Sequence, residues 1–388
     1  VRQSKKYFRY QSGKGYLWST GTLLRPNYDI LSVTASGTLT GSTIYVTTDN
    51  IDHGLQPGAE VELRGILTNG YNGTYTVAGI DSDYTFRVVA KTNLDTTTAV
   101  LDVDCRIYVK GWRGACVRTG MFDDQNGLFW EYNGQDLYVV KRSSTQQLTG
   151  TVTANLNSNL IVGNNTRFNE QIRAGDKVII RGMTHFVSQV ANSTYAYITP
   201  DYRGINSSGI KANLIREVRV PQKEFNLDPV DGTGPSGFNL DLNKMHMLGL
   251  QYSWYGAGFI DFMVRGSDGN WVYAHRMKQN NINDEAYMRS GNLPARYETN
   301  TIPVRTYLTA SLAAGATSMT VNDTTYFPPV GVLTVTAPAD TGGAIEYIYY
   351  TGKTATTFTG LQRNAANTAG VALGTSTATT FTYRISNN

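Results

Sequence analysis

Cysteine is nearly absent: Cys105 and Cys116 are the only two in 388 residues. That excludes a disulfide scaffold and a cysteine-based zinc site, which draws on about two to four thiolates, and leaves two buried thiols as the expectation. Charge is also scarce. Asp, Glu, Lys and Arg make up 16% of the chain, against roughly 25% in ordinary soluble domains. Much of the surface must therefore be Thr, Ser, Asn, Gln and Tyr, which suits assembly. The net charge of +4 comes from 34 basic and 30 acidic residues with no basic run, so the clustered footprint of a nucleic-acid binder is missing. No nucleic-acid partner is expected. The most apolar stretch, 247–264, is broken by Gln251, Ser253 and Asp261, each costly in hydrocarbon, so no membrane span is expected. The Val1 end lacks a charged-then-apolar signal pattern, and an intracellular assembly route follows as an expectation.

What the chain has in quantity is β-forming material. There are 25 Tyr and 39 Gly, with abundant Thr, Val and Asn. Branched and aromatic side chains suit a pleated, half-buried surface, and Gly supplies the positive φ of tight turns. Alternation of period two marks one strand after another, as at Thr43-Ile-Tyr-Val-Thr-Thr48, Tyr84-Thr-Phe-Arg-Val88 and Tyr195-Ala-Tyr-Ile198, each implying one buried face. The expected fold class is all-β, a mosaic of small barrel or sandwich modules with very little helix. One short helix is expected at 283–289, where Asn283 offers a cap, Asp284 and Glu285 an acidic first turn, and Gly291 a stop.

Two stretches look related. Gly58-Ala-Glu-Val-Glu-Leu-Arg-Gly65 and Gly175-Asp-Lys-Val-Ile-Ile-Arg-Gly182 share the pattern Gly-x-x-Val-x-[Leu/Ile]-Arg-Gly, and aromatic strands follow each. This predicts inserted β modules over 30–100 and 148–214, with a further β module at 306–388 that includes a strand at 379–384. The pieces 1–29, 101–147 and 215–305 hold no whole core singly. They read as one discontinuous host domain carrying the first two modules as inserted loops, since insertions are tolerated at exposed turns. Within the host, the turns Asn133-Gly134 and Asp268-Gly269 separate strand pairs.

The search for chemistry returns little. His53, His185, His246 and His275 show no metal-binding spacing, and the serine-hydrolase and phosphate-loop motifs are absent. No catalytic residue, metal or cofactor is expected. Asp123-Asp124 reads as a polar turn, Asp284-Glu285 as helix-terminal charge, and Asp261 and Glu346 complete the acidic candidates for a sugar-cleaving pair. The basic and aromatic run at 5–18 reads as a strand and turn rather than a surface for stacking single-stranded nucleic acid. The richest aromatic concentration, Tyr252, Trp254, Tyr255 and Trp271, admits two roles: the host core, or an anchor for a protein partner or a sugar ring.

Several of these stretches carry a resemblance. Tyr7-Phe-Arg-Tyr-Gln-Ser-Gly-Lys-Gly15, Gly127-Leu-Phe-Trp-Glu-Tyr-Asn-Gly134, Tyr252-Ser-Trp-Tyr-Gly-Ala-Gly258 and Asn283-Asp-Glu-Ala-Tyr-Met-Arg-Ser-Gly-Asn292 resemble virion structural proteins of marine tailed bacteriophages, including contractile-tailed cyanophages. His53-Gly-Leu-x-Pro-Gly58 with Tyr71-Asn-Gly-Thr-Tyr-Thr-Val77, and Phe327-Pro-Pro-x-Gly331 with Glu346-Tyr-Ile-Tyr-Tyr-Thr-Gly352 and Phe358-Thr-Gly-Leu-Gln-Arg363, are similar to small β modules recurrent in phage structural proteins. The resemblance implies a non-enzymatic virion component without cofactor; it does not fix the place in the particle, for which tail, baseplate or neck is the expectation, with assembly in the host cytoplasm. Its expected partners are other virion proteins and copies of itself, in trimers or hexamers following the particle's symmetry. The alternative is a receptor-binding module recognising a cell-surface glycan, and a tail-borne polysaccharide depolymerase ranks last.

Overall fold

The computed structural model describes residues 1–11, 13–112, 114–173, 175–301, 305–322, 324, 327, 330–336, 345–365 and 384–387. They form a nearly all-β protein of several sheets, with helix limited to the single turn Phe168–Gln171 and the 3-10 turn Gln222–Glu224. The expected fold class is borne out. Most of the strand expected at 379–384 lies outside the described residues.

Apolar side chains gather into four main clusters. The largest draws on Leu24, on Met121 to Val139, and on Phe225 to Leu293. It fills a sandwich between two antiparallel sheets. One sheet orders Arg2–Gln3, Ala295–Thr301, Ala115–Phe122, Gly127–Tyr132, Leu137–Ser143 and Ala212–Pro221; the other orders Tyr16–Thr22, His246–Tyr252, Ile260–Arg265 and Trp271–Met277. Trp130 sits at the centre, fully buried. Its indole N–H donates to the Gly249 carbonyl of the facing sheet at 3.1 Å, and Phe262 meets its ring edge-on at 5.6 Å. An anchored indole both fills volume and fixes how the two sheets sit on each other. The hairpin at Asn133 forms with a four-residue loop, in which the Asn133 carboxamide oxygen accepts from the Gln135 and Asp136 amides.

The second and third clusters belong to the two modules with the shared glycine pattern, and the backbone bonding repeats between them. Gly58 N–H donates to Val77 O at 2.8 Å, and Gly175 N–H to Val187 O at 2.7 Å; Val77 and Val187 return bonds to Ala59 O and Asp176 O. Thr48 N–H to Tyr84 O is matched by Gly163 N–H to Thr194 O, and His53 N–H to Asp83 O by Phe168 N–H to Ser193 O. Both closing glycines, Gly65 and Gly182, have φ of +82°, where a Cβ is strained. The two modules are therefore one structural unit built twice. From His53 the opening glycine of the shared pattern, Gly58, follows after five residues, and from Phe168 its counterpart Gly175 after seven, a difference taken up by the helical turn Phe168–Gln171.

Two sequence divisions are corrected. Leu101–Gly111, assigned above to the host, belongs to the first module: it pairs with both Asn27–Ala35 and Glu60–Ile66, and its Cys105, Ile107 and Val109 lie in that module's core. Its counterpart Ala212–Pro221 straddles the boundary. Ala212 and Leu214 pack in the second module, while Arg216 to Pro221 pair with the host strand Leu137–Ser143. Each is the strand by which a module closes and returns to the host, so a cut at a residue number divides a continuous hydrogen-bonded element.

The expected helix at 283–289 does not form; the segment is irregular. Consecutive Tyr287 and Met288 are both buried in the host core. The local backbone groups find tertiary partners instead of helical ones: Tyr287 N–H donates to Gly256 O, Met288 O accepts from the Trp254 indole, and Arg289 N–H donates to the Asn126 side chain. Asn283 turns its amide to Gln279 rather than capping. Capping signals contribute about 1 kcal/mol, less than the burial of a Tyr and a Met.

Candidate functional site

The four aromatics singled out in the sequence do not form one surface. Tyr252 is buried and its hydroxyl donates to Gly291 O at 3.1 Å. Trp254 is half-buried, and Tyr255 is 61% exposed. These three meet Tyr10 and Tyr16 of the N-terminal segment, with ring centroids 5.8 to 6.5 Å apart in the contacts Tyr16–Tyr252, Tyr10–Trp254, Tyr10–Tyr255 and Tyr10–Tyr252. Trp271 lies elsewhere, its ring against Gly249 on the outer side of the four-stranded sheet, with the Arg265 guanidinium 4.2 Å from the ring centroid. The cluster joins the N-terminus to the 252–258 loop, a pairing that sequence spacing does not show.

The histidines serve the backbone. His53 Nδ1 accepts from Leu55 N–H and His275 Nδ1 from Asn226 N–H, and burial lowers the pKa of both. His185 Nδ1 lies 2.8 Å from Pro200 O. Burial also lowers the pKa of His246 and pushes the Cys105 and Cys116 thiols up to about 11. Among the described residues no three His, Cys, Asp or Glu side chains converge on a metal-sized site, and no helix is long and apolar enough to cross a membrane.

The densest chemistry was not anticipated from the sequence. On the face of the host sheet turned away from the sandwich core, charged side chains interlock across neighbouring strands. Arg118 stands opposite both Glu131 and Glu298 in register, and Arg142 opposite Glu217. Arg118 bonds Glu131 at 2.6 Å and Glu298 at 3.0 Å. Arg219 bonds Glu131 and Glu217 at 3.0 Å each, Arg142 bonds Glu217 at 2.8 Å, and Arg296 spans Glu298 at 2.6 Å and Asp124 at 2.9 Å. Phe122 and Phe129 lie between them, with Arg142 4.9 Å and Arg118 5.5 Å over the Phe129 ring. Burial alone acts to raise the Glu217 carboxyl pKa, but Arg142, Arg118 and Arg219 outweigh it and hold it at about 2. Lys177 of the second module stands close enough that burial and Arg142 push its pKa down. The available signal was a lone charge inside an otherwise uncharged strand, Arg118 in Ala115-Cys-Val-Arg-Thr-Gly-Met-Phe122 and Glu131 in Leu128-Phe-Trp-Glu-Tyr132.

This ladder ends at a seam. A cleft of about 530 Å³ opens between the host turn at Asp123 to Gln125 and the Gly182 to His185 hairpin of the second module, with Tyr7, Arg296, Asp201 and Arg203 on its walls. The Asp123 carboxylate accepts the Gln125 and Asn126 amides. Burial, then Asp123, raises the Tyr7 pKa. Gln125 Nε2 crosses the seam to donate to Gly182 O at 3.0 Å. A second, more apolar cavity of about 940 Å³ lies where the first module, the host and the C-terminal module meet, lined by Leu55, Trp112, Val117 and Tyr349 among others. Of the other acidic candidates, Asp261 is held by Arg276 at 2.5 and 2.7 Å and Glu346 by Arg363 at 2.6 Å, while Asp284 and Glu285 lie exposed in the irregular segment. No protein-family model, no curated protein and no solved structure matches the chain.

Proposed function

We propose that the chain is a non-enzymatic structural subunit of a tailed-bacteriophage particle, in its tail, baseplate or neck, acting through contacts with other virion proteins. The observation that carries this reading is how charge and apolar surface are distributed. The host's buried charges are consumed in cross-strand bonds, whereas the first module leaves Leu31, Leu67, Val100 and Val103 exposed, Val103 at 97%. Leu67 N–H donates to Val100 O, so at least these two are adjacent. Exposed apolar side chains in one module, two of them adjacent, on a protein this poor in charge fit a neighbouring subunit better than a solvated reactant. Cryo-electron microscopy of purified particles, with light scattering of the isolated chain, tests the reading. Density for the chain at a symmetric tail, baseplate or neck position is the expected result; a stable monomer absent from virions overturns it.

The cleft at Asp123 favours a second reading, a receptor-binding module, because Tyr7, Asp123, Asp124 and Arg296 offer converging polar groups of the kind that grip a glycan. Purified chain should then compete with phage adsorption, and undiminished adsorption at saturating protein rejects it. Sugar cleavage ranks last, since Asp123 is held by its own turn and Asp124 by Arg296.

A further inference from the structure

The host sandwich presents four sheet edges, and three are closed. The edge of Ala295–Thr301 is covered by Arg2–Gln3, by Ser4 N–H on Ala295 O, and by the Phe8–Leu293 bridge. On the far side the same sheet runs on through Ala212–Pro221 into the second module. The edge at Trp271–Met277 carries a bulge and a latch: Leu227 and Asp228 N–H donate to Ala274 O, while the Asn226 side chain accepts from Arg276 N–H and donates to Arg276 O. These are the usual protections of an exposed edge.

The fourth edge, Tyr16–Thr22, has none of them. It pairs in unbroken register with His246–Tyr252 on one side only. Among the described residues, none of its backbone groups bonds on the other side. Its sequence, Tyr-Leu-Trp-Ser-Thr-Gly-Thr, holds no charge and no proline, and Leu17, Ser19 and Gly21 are exposed.

We infer that this edge joins two copies of the chain, strand against strand and antiparallel about a two-fold axis at Ser19. The register favours a second copy over an arbitrary strand. Centring on Ser19 sets Leu17 of each copy opposite Gly21 of the other. Leu17 is 57% exposed, and Gly21 offers no side chain. Beside Gly21 on the same sheet face stands Met247, 44% exposed, with the 69% exposed Met245 reaching within 3.8 Å of the site where a Cβ would be. Each exposed leucine thus meets a gap flanked by exposed methionines, twice by symmetry, and no like charges oppose across the axis. The paired sheets form one eight-stranded sheet with both new edges consumed, a closed isologous contact. The inference goes beyond the phage reading: a sheet edge joins copies whatever larger body the chain serves.

Cysteine substitution with light scattering tests it on the full chain. Ser19→Cys places its two thiols on residues directly opposed, Cα atoms about 4.5–5.5 Å apart, within disulfide reach. Leu17→Cys places them about 14 Å apart along the strands, outside it. The expected result is a dimer in light scattering, oxidative cross-linking of Ser19→Cys but not of Leu17→Cys, and association weakened roughly a hundredfold, toward monomer, by Leu17→Lys/Ser19→Lys at unchanged circular dichroism. Cys105 and Cys116 are buried and do not confuse the assay. A monomer at every concentration, equal cross-linking of the two cysteine variants, or a dimer indifferent to the double lysine substitution each overturns the inference.

Discussion

Replacing Glu131 with Gln removes one negative charge from the centre of the ladder while keeping shape. The Glu131 side chain is 1% exposed and serves two guanidinium groups, Arg118 at 2.6 Å and Arg219 at 3.0 Å. Arg118 is 5% exposed, and when Glu131 loses its charge it keeps only the Glu298 carboxylate at 3.0 Å and cannot make up the loss with water. Breaking a buried pair by removing one member costs about 3–5 kcal/mol, mostly for the charge left behind; the Gln carbonyl can still accept one bond, which places the change near 3 kcal/mol. For a domain of this size that is a fall of about 6–12 °C in Tm, read by calorimetry or by fluorescence of buried Trp130. Glu62→Gln is the matched control. Its pair with Arg64 has nearly the same length, 2.7 Å, but side chains 57% and 19% exposed, and an exposed pair contributes under about 1 kcal/mol. Adding Arg118→Met to Glu131→Gln should recover part of the loss, because it removes a buried cation left with one carboxylate of its two, and Glu298 retains Arg296. A Glu131→Gln protein within about 1 kcal/mol of the parent, or no more destabilised than Glu62→Gln, would refute the account of the ladder as a desolvated, mutually dependent network.

Three further outcomes follow from the same geometry. Burial opposes but does not overcome the guanidinium groups that hold the Glu217 carboxyl at about 2, against 4.5 ordinarily, and Glu298 is lowered in the same way. The stabilisation from Glu217 is therefore complete above about pH 4.5 and lost as pH falls toward 2, on the order of 3 kcal/mol, and that from Glu298 is lost in the same direction; acid titration of Tm should show this slope, and Glu217→Gln should flatten it. At the repeated closing glycine, Gly65→Ala puts a Cβ 2.8 Å from the Cys105 backbone whereas Gly182→Ala meets nothing within 4 Å. Denaturant midpoints should then show about 1–2 kcal/mol of φ strain at Gly182 and a larger loss at Gly65. Asn226→Ala unlatches the Trp271–Met277 edge, so hydrogen exchange at Arg276 N–H should accelerate by about fivefold or more, the equivalent of one lost bond near 1 kcal/mol; unchanged protection there counts against the latch.

The residues by themselves determined the β character, the positions of most strands, and the kinship of the two modules. All three rest on period-two alternation and on glycines at turns, which act within a few residues of the chain. Thr43–Thr48 and the repeated Gly58 and Gly175 patterns lie where local order places them. Tertiary structure decided everything that depends on which strand lies next to which. Glu131 and Arg118 are thirteen positions apart and Arg118 and Glu298 one hundred and eighty, so their opposition exists only once the register is set, and a lone charge in an apolar strand does not announce its partner. Leu101–Gly111 went to the first module because its hydrogen bonds and its buried face point there. The segment 283–289 gave up a helix because Tyr287 and Met288 gain more from the host core than from caps. Even the bare edge at Tyr16–Thr22 is a property of the assembled sandwich: its uncharged sequence is visible in advance, but only the closure of the other three edges leaves it exposed.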